Sequence, residues 1–109
     1  MLSSGESGIR PMSREKYHEE CDPEFMSTFF CNYFGVEEPT LKENPSTNNG
    51  IWRGYYYRNK MLVAFNTNMT GVILHELAHH VVNMQGRNGR GHHDYAFWSV
   101  LQEMHDLWR

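Results

Sequence analysis

The sequence predicts an α+β fold in which a short antiparallel or mixed sheet packs on two amphipathic helices. Three observations predict it. The run Val72-Ile73-Leu74-His75-Glu76-Leu77-Ala78-His79-His80-Val81-Val82 has helical periodicity, with Leu74, Leu77, Ala78 and Val81 gathered on one side. Phe97, Val100, Leu101, Met104, Leu107 and Trp108 form a second apolar stripe at the same spacing. Upstream, residues 51–58 and 61–66 are dense in aromatic and aliphatic side chains, the composition of strands. A chain of 109 residues has room for one small core, and 39% hydrophobic residues can fill it.

Each element follows from local chemistry. Residues 1–13, rich in Ser and Gly, read as a flexible N-terminal tail, and 14–109 as a single domain. The charged stretch 13–20 reads as a short helix with His18 in solvent. Asp22-Pro23-Glu24 combines an N-cap, a first-turn proline and an acidic residue, opening a helix that Gly35 closes. Phe25, Phe29 and Tyr33, with Met26 and Phe30 alongside, read as one broad core face. Residues 36–50 hold two prolines, three asparagines and a glycine, a loop composition. Strands 51–58 and 61–66 then join at Asn59-Lys60, and the continuously apolar second strand reads as covered on both faces. The tyrosines of the first strand read as packing rather than as a base-stacking row. The motif helix spans 70–85 and stops before Gly86, residues 87–91 form a glycine-rich turn, and a last helix spans 94–108. Cys21 and Cys31 are too few for a disulfide framework and read as reduced, semi-buried thiols.

Charge and hydropathy narrow the partners. A net charge of −3 offers nucleic acid no global attraction, leaving only a local patch around Arg87 and Arg90. No apolar run reaches the roughly 18 residues of a membrane span, and residues 1–8 lack the pattern of a signal peptide. The expected location is the cytoplasm.

His75-Glu76-Leu77-Ala78-His79 is the segment with chemical content. On a helix, positions i and i+4 share a face one turn apart, so both imidazoles can reach one metal ion. Glu76 lies about 100° further round, beside a water on that ion rather than on the ion itself. The pattern fits a zinc hydrolase with a glutamate general base. A catalytic zinc site needs a third protein ligand. The metzincin extension requires Gly at 82 and His at 85; this chain has Val82 and Gln85, which excludes it. Deformylase-type ligation by cysteine finds no matching context, since Cys31 precedes Asn32-Tyr33. His93, His92 and the gluzincin-style Glu103 are left as candidates.

From Val72 to Leu101, the H-E-x-x-H motif followed by a loop and Gly91-His92-His93-Asp94-Tyr95-Ala96-Phe97 resembles the SprT-like (Spartan-type) zinc metallopeptidases. In that family a later histidine, spaced H-x-x-x-F from an aromatic residue, completes the zinc site. The resemblance assigns this role to His93, spaced so from Phe97, with His92 as alternate. The family's frequent Gly-Pro after that histidine is replaced here by Asp94-Tyr95. The resemblance implies a small zincin-like domain holding Zn2+ on His75, His79 and His93. It also implies a protein or peptide substrate, with DNA-associated substrates among the options, and a monomer. Glu76 would move the proton, Tyr95 is a candidate oxyanion donor, and the edge of the 51–66 hairpin can take a peptide as an added strand. Asp94 or His92 can orient an imidazole. His80 reads as a surface residue or a support for the ligands, and His105 as structural. The rival classes are a non-catalytic metal-stabilised module and a nucleic-acid adaptor using the tyrosines and arginines.

Overall fold

The computed structural model describes residues 14–43, 54–86 and 93–108. The expectations for the 1–13 tail, the 87–91 turn, Arg87, Arg90 and His92 lie outside the described residues. Asp22 caps α2 (Pro23–Phe34), its carboxylate accepting from the Glu24 and Phe25 N–H groups, and Gly35 closes the helix at φ 71°, a left-handed backbone that suits glycine. Before it lies α1 (Arg14–His18); after it come β1 (Thr40–Glu43), β2 (Gly54–Tyr57), β3 (Leu62–Phe65), α3 (Thr70–Met84) and α4 (Tyr95–Trp108). The fold is therefore α+β.

The sheet is mixed, in the order β1-β3-β2. Strand β3 pairs parallel with β1 (Thr40 opposite Leu62) and antiparallel with β2 (Tyr57 opposite Leu62). Its Val63, Ala64 and Phe65 are buried, as its unbroken apolar run requires. Strand β1 lies inside the expected 36–50 loop. Four residues with a mostly exposed side-chain pattern carry no local periodicity, and only the parallel pairing with β3 makes them a strand. The β2–β3 connection also differs from a two-residue turn at Asn59-Lys60. A single 3-10 turn, Arg58–Lys60, leads into Met61 at φ 48°, and Met61 N–H donates to the Arg58 carbonyl.

Helix α3 is the centre of the core. Ile73, Leu74, Leu77, Ala78 and Val81 are fully buried and meet Met26 and Phe30 of α2, Val63 and Phe65 of β3, and Phe97, Val100, Leu101 and Met104 of α4. Its N-terminus is held by the chain before α2. Thr70 donates to the Glu19 carbonyl from both N–H (2.8 Å) and hydroxyl (2.9 Å), and Cys21 N–H donates to the Asn68 carbonyl. At Gly71 an added Cβ would lie 2.1 Å from the Tyr17 ring, so α1 can sit this close only over glycine.

The apolar face assigned to α2 is divided. Met26 and Phe30 are fully buried, whereas Phe25, Phe29 and Tyr33 remain 58%, 37% and 49% exposed. The second row lies about 100° round the helix from the first, and Trp108 covers it only in part, its ring 6.2 Å from that of Phe25 and 5.9 Å from that of Phe29. Both cysteines are free, and burial raises each thiol to about 11, too high for reactivity at neutral pH. Among the described residues no helix is long and apolar enough to cross a membrane.

Candidate metal centre

Helix α3 places His75 and His79 on its open side, one turn apart, with ring centroids separated by 5.1 Å. His93 stands just before α4 and meets both rings at 5.0 Å. Asp94 fixes where that helix begins, since its carboxylate accepts from Phe97 N–H at 3.1 Å. One nitrogen from each of His75, His79 and His93 lies within 4.8 Å of the others. His75 Nε2 and His93 Nε2 are 3.2 Å apart. Two nitrogens bound to one tetrahedral zinc at 2.0–2.1 Å lie about 3.3 Å apart, so this pair has the spacing of zinc ligands. Burial, aided by the neighbouring His93, lowers the pKa of His75 to about 4, which keeps it in the neutral form that a metal requires.

Phe97 closes the underside of the cluster. Its ring is fully buried and stands 4.9 Å from His75, 4.4 Å from His79 and 4.7 Å from His93. The aromatic residue four positions after His93 thus packs against all three imidazoles.

Glu76 faces β2 beside the cluster. It is 7% exposed, and burial raises its carboxyl pKa from 4.5 to about 7. Its position depends on Gly54: an added Cβ there would stand 2.7 Å from Glu76 Cγ and 3.0 Å from Val72 Cγ1. Only a glycine lets the strand approach so near. Sequence reasoning passed over this residue, although a lone glycine inside an aromatic strand is the usual mark of a close backbone approach.

One turn along α3, a buried network joins three elements. His80 is fully buried, not at the surface. Its Nε2 lies 2.6 Å from the Glu37 carbonyl oxygen, which can only accept, so Nε2 carries a proton. Burial lowers the pKa of His80, so the ring is neutral and Nδ1 accepts from the Tyr56 hydroxyl at 2.8 Å. Asn83 Nδ2 donates in turn to the Tyr56 oxygen at 3.0 Å. Tyr56 and Asn83 carried no motif; only the meeting of Tyr56 with His80, and of Asn83 with Tyr56, reveals them.

The remaining expected residues fall elsewhere. Glu103 is exposed, and its carboxylate accepts from the Tyr33 hydroxyl of α2 at 2.6 Å, outside the imidazole cluster. Tyr95 is 83% exposed and does not line the cleft, so nothing supports it as an oxyanion donor. His105 is buried in α4, consistent with a structural place. The cleft, about 840 Å³, is lined by Gly54 to Lys60 on one wall and by His75, Glu76, His79 and His93 on the other. Comparisons of the chain with family models, with curated proteins and with solved structures gave no match.

Proposed function

We propose that the protein is a zinc-dependent metallopeptidase, a small zincin-like enzyme of the SprT-like kind, that hydrolyses peptide bonds in its open cleft. One observation carries the reading: three imidazole nitrogens within 4.8 Å of one another, one pair of them 3.2 Å apart, share a cleft with a buried glutamate that follows His75 on the same helix. Three imidazole nitrogens would leave a tetrahedral ion one open position, the arrangement of a catalytic rather than a structural site.

Zinc, when bound, acidifies its water and polarises the scissile carbonyl. The rest belongs to the chain. Glu76 accepts the proton of the attacking water and returns it to the leaving amine, and a carboxyl lifted toward neutrality suits a group that must act as base and then as acid. Among the described residues strand β2 is the outer strand of the sheet, and it forms a wall of the cleft, so an extended substrate can pair with it. The network of His80, Tyr56 and Asn83 fixes that strand against α3.

Metal content and peptide cleavage of three proteins test the reading. Wild type binds one zinc and cuts. Glu76→Gln keeps the zinc and loses about 10²- to 10⁴-fold in rate. His93→Ala loses zinc affinity by more than the roughly 100-fold that removing an outer partner of a ligand costs. Wild type without stoichiometric metal would end the proposal.

A further inference from the structure

Deepening the metallopeptidase reading, on which it rests, we infer that the Arg58–Lys60 end of the cleft selects substrates carrying acidic side chains on the N-terminal side of the scissile bond. Arg58 and Lys60 are exposed and line the cleft, and apart from Glu76 the lining contains no acidic residue. The only ion pair among the described residues is Lys16–Glu19, so neither cation is neutralised there. Lys60 Nζ instead lies 5.7 Å from the centre of the Tyr57 ring, which holds the ammonium in place without cancelling its charge. The protein carries a net charge of −3, so these two cations give the cleft a local sign opposite to that of the whole chain.

The direction of β2 says where along a substrate this charge acts. The strand starts at Glu76, against which Gly54 is packed. It passes His80, bonded to Tyr56, and reaches Asn83, whose Nδ2 donates to the Arg58 carbonyl at 3.5 Å. From Gly54 to Arg58 an extended chain covers about 13 Å. A peptide paired antiparallel with this edge has its scissile bond near Gly54 and runs back toward Arg58 on its N-terminal side. The cations therefore face the residue about four positions before the cut. An acidic peptide fits better than a nucleic acid, because the wall beside the cations is a backbone edge and the net charge repels a polyphosphate.

Cleavage of a diverse peptide mixture, with the cut sites read by mass spectrometry, tests the inference. A second arm measures binding of fluorescein-labelled Glu-, Gln- and Lys-containing decapeptides to the zinc-loaded Glu76→Gln protein. Expected is about three- to tenfold enrichment of Asp and Glu three to five positions before the cut, weakened in 0.5 M salt. Arg58→Gln/Lys60→Gln brings the ratio of acidic to neutral peptides among those cut to about that of the mixture. Cutting without acidic enrichment overturns the inference and leaves the metallopeptidase reading standing, as does enrichment that survives the double substitution. If nothing is cut, the enzyme reading fails and the binding arm decides. Tighter binding of the Glu peptide, lost on substituting Arg58 and Lys60, keeps the acidic-ligand cleft; equal binding of all three peptides removes it. A thymidine oligonucleotide that displaces the Glu peptide through the same two residues also overturns it.

Discussion

His79 and His80 are neighbours on α3 with opposite fates. His79 turns its imidazole into the cleft, where its nitrogen joins those of His75 and His93. His80 is fully buried, and both its nitrogens are engaged, one by Tyr56 and the other by the Glu37 carbonyl. The difference teaches what burial does to one side chain. A neutral imidazole whose donor and acceptor are both used is a structural joint; a cluster of imidazoles whose nitrogens converge has the geometry a metal could use. Residue type and helical position alone do not tell them apart.

The sharpest way to break this comparison is to truncate each histidine in turn. His80→Ala leaves Tyr56 and the Glu37 carbonyl without their buried partner, and should cost about 3 kcal/mol in urea unfolding of the metal-free protein. His79→Ala should change that stability by no more than about 1 kcal/mol yet abolish tight zinc binding, measured by competition with a chromogenic chelator. Equal stability losses in the two variants would erase the distinction.

A smaller effect comes from the two perturbed groups of the open side, His75 and Glu76. The pKa of Glu76 is raised from 4.5 to about 7, so its carboxyl costs the metal-free fold stability as pH rises through that interval, and the full cost persists above it. The pKa of His75 is lowered from 6.5 to about 4, so its cost grows as pH falls through that range. The two slopes oppose one another. Glu76→Gln removes one of them: the metal-free variant should match wild type near pH 4 and exceed it by up to about 3 kcal/mol at pH 8. Unfolding curves at the two pH values check this.

The smallest is Gly54→Ala. The new methyl group meets Glu76 Cγ and should cost about 1–2 kcal/mol. It displaces the carboxylate but not the imidazoles, so zinc stoichiometry should hold while peptide cleavage falls. Unchanged cleavage would show that Glu76 does not need the close strand.

How much of this was legible beforehand depended on range. The helical periodicity of 72–82 placed His75, Glu76 and His79 correctly, because one helix turn sets their geometry. The last helix was equally plain, although Leu107 of its stripe stays 39% exposed. His93 needed a family resemblance, since no local rule brings a residue 14 positions beyond His79 back to the same point. Strand β1 was invisible, as parallel pairing leaves no mark on four mostly exposed residues. The Phe25, Phe29 and Tyr33 row was misplaced because periodicity shows that a face is apolar, not which of two adjacent apolar rows the core covers. The surface option for His80 failed because its partners lie 24 and 43 residues upstream.

The ring of Phe97 has a kinetic consequence. Its buried ring packs against one side of all three imidazoles, and among the described residues the cleft lies on the other side. On the proposed reading, an ion leaving through the cleft takes the path that a peptide substrate would occupy. A bound peptide should therefore act as a stopper, slowing the escape of metal to a chelator even though it need not strengthen the metal's equilibrium hold. On that reading, cargo and cofactor share a doorway.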